Sequence, residues 1–113
     1  MPYIETKTTR KIDKATADGL REELGRAIEL IPGKTEKWLM LSFIDGLDMA
    51  LAGVPGDAAM IDVSLLGHAD DGAYAALTEK ICEIVSCALE IPKDRIYIKY
   101  SEYERWGWNG INL

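Results

Sequence analysis

Apolar residues recur along this chain in two periods, and the changes between them mark out its elements. Tyr3-Ile4-Glu5-Thr6-Lys7-Thr8 is rich in β-branched and aromatic residues and predicts a strand. Asp13 supplies an N-cap, after which Ala17, Leu20, Leu24, Ala27, Ile28 and Ile31 recur at helical spacing. Arg21, Glu22, Glu23 and Arg26 fall between them as a solvated face, and Pro32-Gly33 stops the helix. Trp38 to Ile44 is a compact apolar run that predicts a mostly buried strand. Asp45-Gly46 turns the chain, and the glycine-rich stretch Met49 to Gly56 leaves room for a short edge strand. Ala58 to Leu66 predicts the next strand, ended by Gly67. Asp70-Asp71 then charges and caps a second helix, whose stripe is Ala73, Leu77, Ile81, Ile84, Val85 and Ala88, with Pro92 beyond it. Arg95 to Ser101 alternates strictly: Ile96, Ile98 and Tyr100 face one way, Tyr97 and Lys99 the other. The tail from Glu102 carries Trp106-Gly107-Trp108-Asn109-Gly110.

The order is strand–helix–strand, twice. Glu29-Leu30-Ile31-Pro32 with Lys34 before one strand echoes Leu89-Glu90-Ile91-Pro92 with Lys93 before the other. Two right-handed β-α-β halves predict an α/β (α+β) fold: a four-stranded mixed sheet with both helices on one face. The opposite face would then carry apolar residues from the Trp38 and Ala58 strands together with Tyr97. That is too much to leave in water, so a closed homo-oligomer packed sheet to sheet is expected.

Composition narrows the classes. The 113 residues suit a single domain, with 48% apolar and 28% charged residues. The net charge of −6 argues against a duplex nucleic acid partner. No apolar run is long enough to span a membrane, and no charged-then-apolar leader is visible. Cys82 and Cys87 lie roughly 140° apart around a helix and cannot pair with each other. As buried free thiols they suit a reducing cytoplasm, and any secretion would proceed without a signal peptide. The lone His68 has no second ligand at metal-binding spacing, so no metal or cofactor is expected.

The chemistry-bearing candidate is Pro2. Its small size suits methionine-removing enzymes, and once Met1 is gone its nitrogen becomes a secondary amine instead of an amide. A free α-amino group titrates near ~8. Burial beside cations lowers that toward neutrality, where a general base works best.

Met1-Pro2, Asp18-Gly19 with Glu23-Leu24, Gly33-Lys34, Met49-Ala50 before Gly53, and Ser64-Leu65-Leu66-Gly67 occur in an order that resembles the macrophage migration inhibitory factor branch of the tautomerase superfamily. The similarity is greatest from Pro92 to Asn109, through Asp94-Arg95-Ile96-Tyr97-Ile98, Tyr100 and Gly107-Trp108-Asn109. The resemblance covers nearly the whole chain. It implies a homotrimer whose sheets enclose a central barrel, with active sites between subunits. It also implies that the processed proline is the general acid/base for keto–enol tautomerisation of small anionic α-keto acids such as phenylpyruvate.

Carried onto this sequence, the resemblance makes Lys34 the lysine that contacts substrate and keeps the proline neutral. It makes the Leu66 backbone N–H a substrate donor and Tyr97 a tyrosine reaching the site from a neighbouring subunit. Tyr3, Trp38, Tyr103, Trp106 and Leu113 fall near the pocket wall. Two departures stand out. Lys99 replaces an asparagine found in the best-known members; sharing a strand face with Tyr97, it either enters the pocket or pairs with a carboxylate. The cytokine's Cys-x-x-Cys reads Ala58-Ala59-Met60-Ile61 here, which removes any thiol-redox role. The competing function class is a cytokine-like or host-mimic protein that binds a receptor over a vestigial site. A further one is another superfamily reaction on small acids, which would call for arginines; Arg95 reads as structural and Arg105 has no assigned role.

Overall fold

The structure, a computed structural model, describes residues 1–113. Its first half is β1 (Pro2–Thr8), α1 (Lys14–Ala27) and β2 (Met40–Ile44); its second is β5 (Ala59–Leu66), α2 (Asp71–Leu89) and β6 (Ile96–Tyr103). Between the halves lies a small ribbon of β3 (Ala50–Leu51) and β4 (Val54–Pro55), and the chain ends in a second ribbon, β7 (Gly107–Trp108) and β8 (Ile111–Asn112). The main sheet runs β2-β1-β5-β6. Strand β1 is parallel to β2, β5 is parallel to β6, and the two halves meet antiparallel along β1 and β5. The internal repeat read from the sequence is therefore a structural one, and the sheet is mixed.

Both helices are capped as their sequences predict. The Asp13 carboxylate accepts from the Thr16 N–H and the Asp70 carboxylate from the Ala73 N–H, each at 2.8 Å. Regular α1 stops at Ala27 and tightens into a 3₁₀ turn, Ile28–Leu30, before Gly33 takes a left-handed φ of 82°. The core lies between helices and sheet. Leu20 and Leu24 of α1 and Leu77 and Ile81 of α2 meet Ile4, Ile61, Val63 and Leu65, all of them buried. Each such side chain contributes about 1.5–3 kcal/mol on burial. Period-two alternation puts Pro2, Ile4, Thr6 and Thr8 on the same inner face; the Thr8 hydroxyl donates to the Ala58 carbonyl at 2.9 Å.

Three expectations are corrected. Trp38 is not in a strand: it closes a 3₁₀ turn (Glu36–Trp38), and β2 starts at Met40. Nor is β2 mostly buried, because it is the sheet edge; Met40 is 68% exposed and Ile44 40%. Cys87 is exposed and Cys82 only half-buried, so neither is a sequestered core thiol.

The open face is also more polar than expected. Its residues form three rows across the sheet, set by register. Met40, Tyr3, Ser64 and Ser101 form the first, Ser42, Glu5, Asp62 and Lys99 the second, and Ile44, Lys7, Met60 and Tyr97 the third. The middle row is knitted by charge: Lys99 pairs with Asp62 at 3.2 Å, Lys7 with Glu5 at 3.2 Å, and the Tyr3 hydroxyl bonds Ser42 at 2.6 Å. Tyr97, Met40 and Ile44 remain the exposed apolar contributions.

Candidate active site

Pro2 is buried at the head of β1, a central strand held on both sides, and pairs in register with Leu65. One residue further out, the Met1 carbonyl accepts from the Leu66 N–H at 3.0 Å. Lys34 reaches the same place from the end of α1. Its backbone N–H closes the turn onto Ile31 O at 3.0 Å, and its Nζ donates to the Leu66 carbonyl at 2.8 Å. One peptide segment, Leu66, thus receives the lysine through its C=O and the chain terminus through its N–H.

The environment acts on the terminal amine. Burial disfavours the charged form of the Met1 ammonium and lowers its pKa; the Lys34 charge and its hydrogen bond lower it further. The neutral form of the amine, which this favours, is the form that can accept a proton.

Beside it opens a cavity of about 880 Å³. Pro2, Tyr3, Met40 and Ser64 line it from the sheet, Lys37, Trp38 and Leu39 from the turn before β2, and Tyr103 with Arg105 to Trp108 from the chain's end. Its walls are aromatic. Trp38 meets Trp108 edge to face at 5.1 Å between ring centroids, and Tyr103 meets Trp106 at 6.1 Å. Asn109 and Gly110 make the turn that brings Trp108 there, both at positive φ (52° and 77°). The Leu113 N–H bonds the Trp106 carbonyl at 2.9 Å and ties the tail down.

Pro2, Lys34 and Leu66 therefore come together, and Tyr3, Trp38, Tyr103 and Trp106 line the adjoining cavity. Leu113 instead borders a separate depression with Leu66, Gly67, His68 and Glu102. Tyr97 and Lys99 are elsewhere. Tyr97 is level with Lys7, five residues along the sheet from Pro2 and two strands across, which is roughly 19 Å. Lys99, level with Glu5, is roughly 14 Å away by the same geometry and engaged with Asp62. Neither reaches Pro2 of its own chain. No three His, Cys, Asp or Glu side chains gather as a metal-binding group.

Trp108, Lys37 and Arg105 are cavity residues that carried no site role in the sequence. The Asn109-Gly110 turn signal between two short apolar pairs was available and marks the ribbon that places Trp108. Nothing comparable announced Glu102. Its carboxylate accepts from the Tyr74 hydroxyl at 2.5 Å and from the Ala69 N–H at 3.3 Å, pinning the loop that follows Leu66. Burial, then this hydrogen bond, push the Tyr74 hydroxyl up to about 12. The same bond lowers the Glu102 carboxyl.

Among known proteins, the family described as Macrophage migration inhibitory factor (MIF) matches residues 1–113. A macrophage migration inhibitory factor of Xenopus laevis is 23% identical over 112 residues, covering 97% of this chain and 96% of the relative. The solved structure of Leishmania major MIF2 is 26% identical, with a TM-score of 0.94 over 100% of this chain and 97% of that one. The homologue from Prochlorococcus marinus is 28% identical, with a TM-score of 0.87 over 97% of each.

Proposed function

We propose, from the premise that the chain belongs to the macrophage migration inhibitory factor family, that it is a keto–enol tautomerase of small α-keto acids such as phenylpyruvate. The observation that carries this reading is the meeting of the chain terminus, Lys34 and the Leu66 peptide. With Met1 removed, Pro2 offers a secondary amine where the Met1 amide was, and the Leu66 N–H loses its acceptor. The amine, kept neutral by burial and by Lys34, takes a proton from the carbon next to the ketone. Charge develops on the ketone oxygen as it becomes an enolate. The freed Leu66 N–H and the Lys34 ammonium are the donors available to it, and such donors act most strongly when fixed in advance. The prolinium then returns the proton to the enolate oxygen or, in reverse, to carbon.

The assembly that completes the site is a homotrimer. Support comes from position: Tyr97 and Lys99 are too far from Pro2 to serve their own chain and lie on a face that no other element covers. A neighbouring copy packed on that face brings both toward the cavity. Lys99 then adds positive charge if it leaves Asp62.

The test is turnover of phenylpyruvate and hydroxyphenylpyruvate by the Met1-processed protein and by Pro2→Gly. Loss of activity in the variant is expected. Equal rates in the two end the reading.

A further inference from the structure

The chain has 19 acidic residues and a net charge of −6, yet no Asp or Glu lines the cavity beside Pro2. Its charged side chains are Lys37 and Arg105. Neither forms an ion pair, although Lys7, Arg10, Lys14, Arg21, Arg26 and Lys99 all do. Both are exposed, so they stand at the rim, whereas Lys34 is half-buried beside the terminal residue. Lys37 is held at the aromatic wall, with its Nζ 5.2 Å from the centre of the Trp38 ring. The cavity thus carries two exposed cations, Lys37 and Arg105, among aromatic walls, while Lys34 stands behind its lining, beside the terminal residue. An unpaired guanidinium exposed beside aromatic walls is suited to a carboxylate, which it can grip with two parallel hydrogen bonds.

We propose that the preferred substrate is a dianion: an α-keto acid with a flat apolar middle and a second carboxylate, held at the rim by Arg105 and Lys37. This rests on the tautomerase reading for the other end, where the keto acid meets Pro2, Lys34 and the Leu66 N–H. It makes Arg105 and Lys37 specificity-determining residues and the tryptophans the walls for the apolar middle.

Two substrates differing only at the far end decide it. The Met1-processed protein is assayed with phenylpyruvate and with 4-carboxyphenylpyruvate. The second is expected to have the higher kcat/KM by about tenfold at low salt, through KM, as a charge-assisted contact at a rim would give. Molar salt should shrink the ratio, since the screening length falls to ~3 Å. Arg105→Gln combined with Lys37→Gln should bring the ratio close to one. Binding is read separately with the unreactive pair 3-phenylpropionate and 3-(4-carboxyphenyl)propionate, through quenching of the cavity tryptophans. A ratio of one or less in the unsubstituted protein, or a ratio that survives the double substitution, overturns the proposal. If neither keto acid turns over but the dicarboxylate still binds more tightly through Arg105, the anion pole stands and the tautomerase reading falls. If both turn over equally well, the reverse holds.

Discussion

Keeping Met1 in place should silence the protein while leaving its fold intact. Retention does two things at one point. It makes the Pro2 nitrogen an amide, which has no useful basicity, and it holds the Leu66 N–H on the Met1 carbonyl at 3.0 Å. Acid–base catalysis contributes about 10²–10⁴-fold, all of which is lost with the amine. Withholding one enolate donor costs about 10²–10³-fold. The combined loss is at least ~10⁴-fold, enough to bring turnover to the level of buffer. The sample can be made by expression under a methionine aminopeptidase inhibitor and verified by intact mass, with enol formation followed by ultraviolet absorbance. Met1-retaining protein that turns over phenylpyruvate within about tenfold of the processed form would refute the reasoning. Hydrogen exchange supplies a second readout: an unreactive carboxylate ligand should slow exchange of the Leu66 amide in processed protein and leave it unchanged in the retained form.

Other outcomes follow from the same geometry. In processed protein, kcat/KM should rise with pH as the lowered terminal amine loses its proton. Lys34→Gln removes a cation that favours the neutral form, so the rising limb should move to higher pH, read from a pH–rate profile. If Tyr97 serves a neighbour, an equal mixture of Pro2→Gly and Tyr97→Ala chains, unfolded and reassembled together, should regain about a quarter of the native sites; either variant alone should stay inactive. Leu24→Ala empties a fully buried position facing the sheet and should cost about 2–5 kcal/mol, read as a lower denaturant midpoint with unchanged slope.

The sequence is most readable where its period is simplest. Ile96, Ile98 and Tyr100 against Tyr97 and Lys99 gave the two faces of β6 directly, because successive residues of a strand point to opposite sides. Asp13 and Asp70 gave both helix starts, since each cap is a local hydrogen bond. Strand β2 was misjudged because Trp38 to Ile44 is as apolar as a central strand. Being at an edge is a property of the whole sheet and leaves no mark in seven residues. The open face was read as apolar because only some of its strands were assigned a direction; register brings Glu5 beside Asp62, and with them the charges that make the face mixed. Pro2 was marked by its place after Met1, but Lys34 as its partner was reachable only through the resemblance, as their meeting depends on Leu66, which belongs to the other half of the repeat. The unpaired state of Lys37 and Arg105 could not be read at all, since it is defined by which carboxylates fail to arrive.

The antiparallel seam between β1 and β5 bears on how the protein is made. Strand β1 leaves the ribosome first, but the strand that flanks it, with the Leu66 N–H that engages Met1, is translated roughly sixty residues later. At about 5–20 residues per second, the terminus waits several seconds with no native partner on that side. A fold that buries Pro2 at the head of a central strand is therefore built in an order that leaves this end of the chain uncovered before the sheet closes beside it. On the proposed tautomerase reading, that interval of synthesis is when Met1 would be removed.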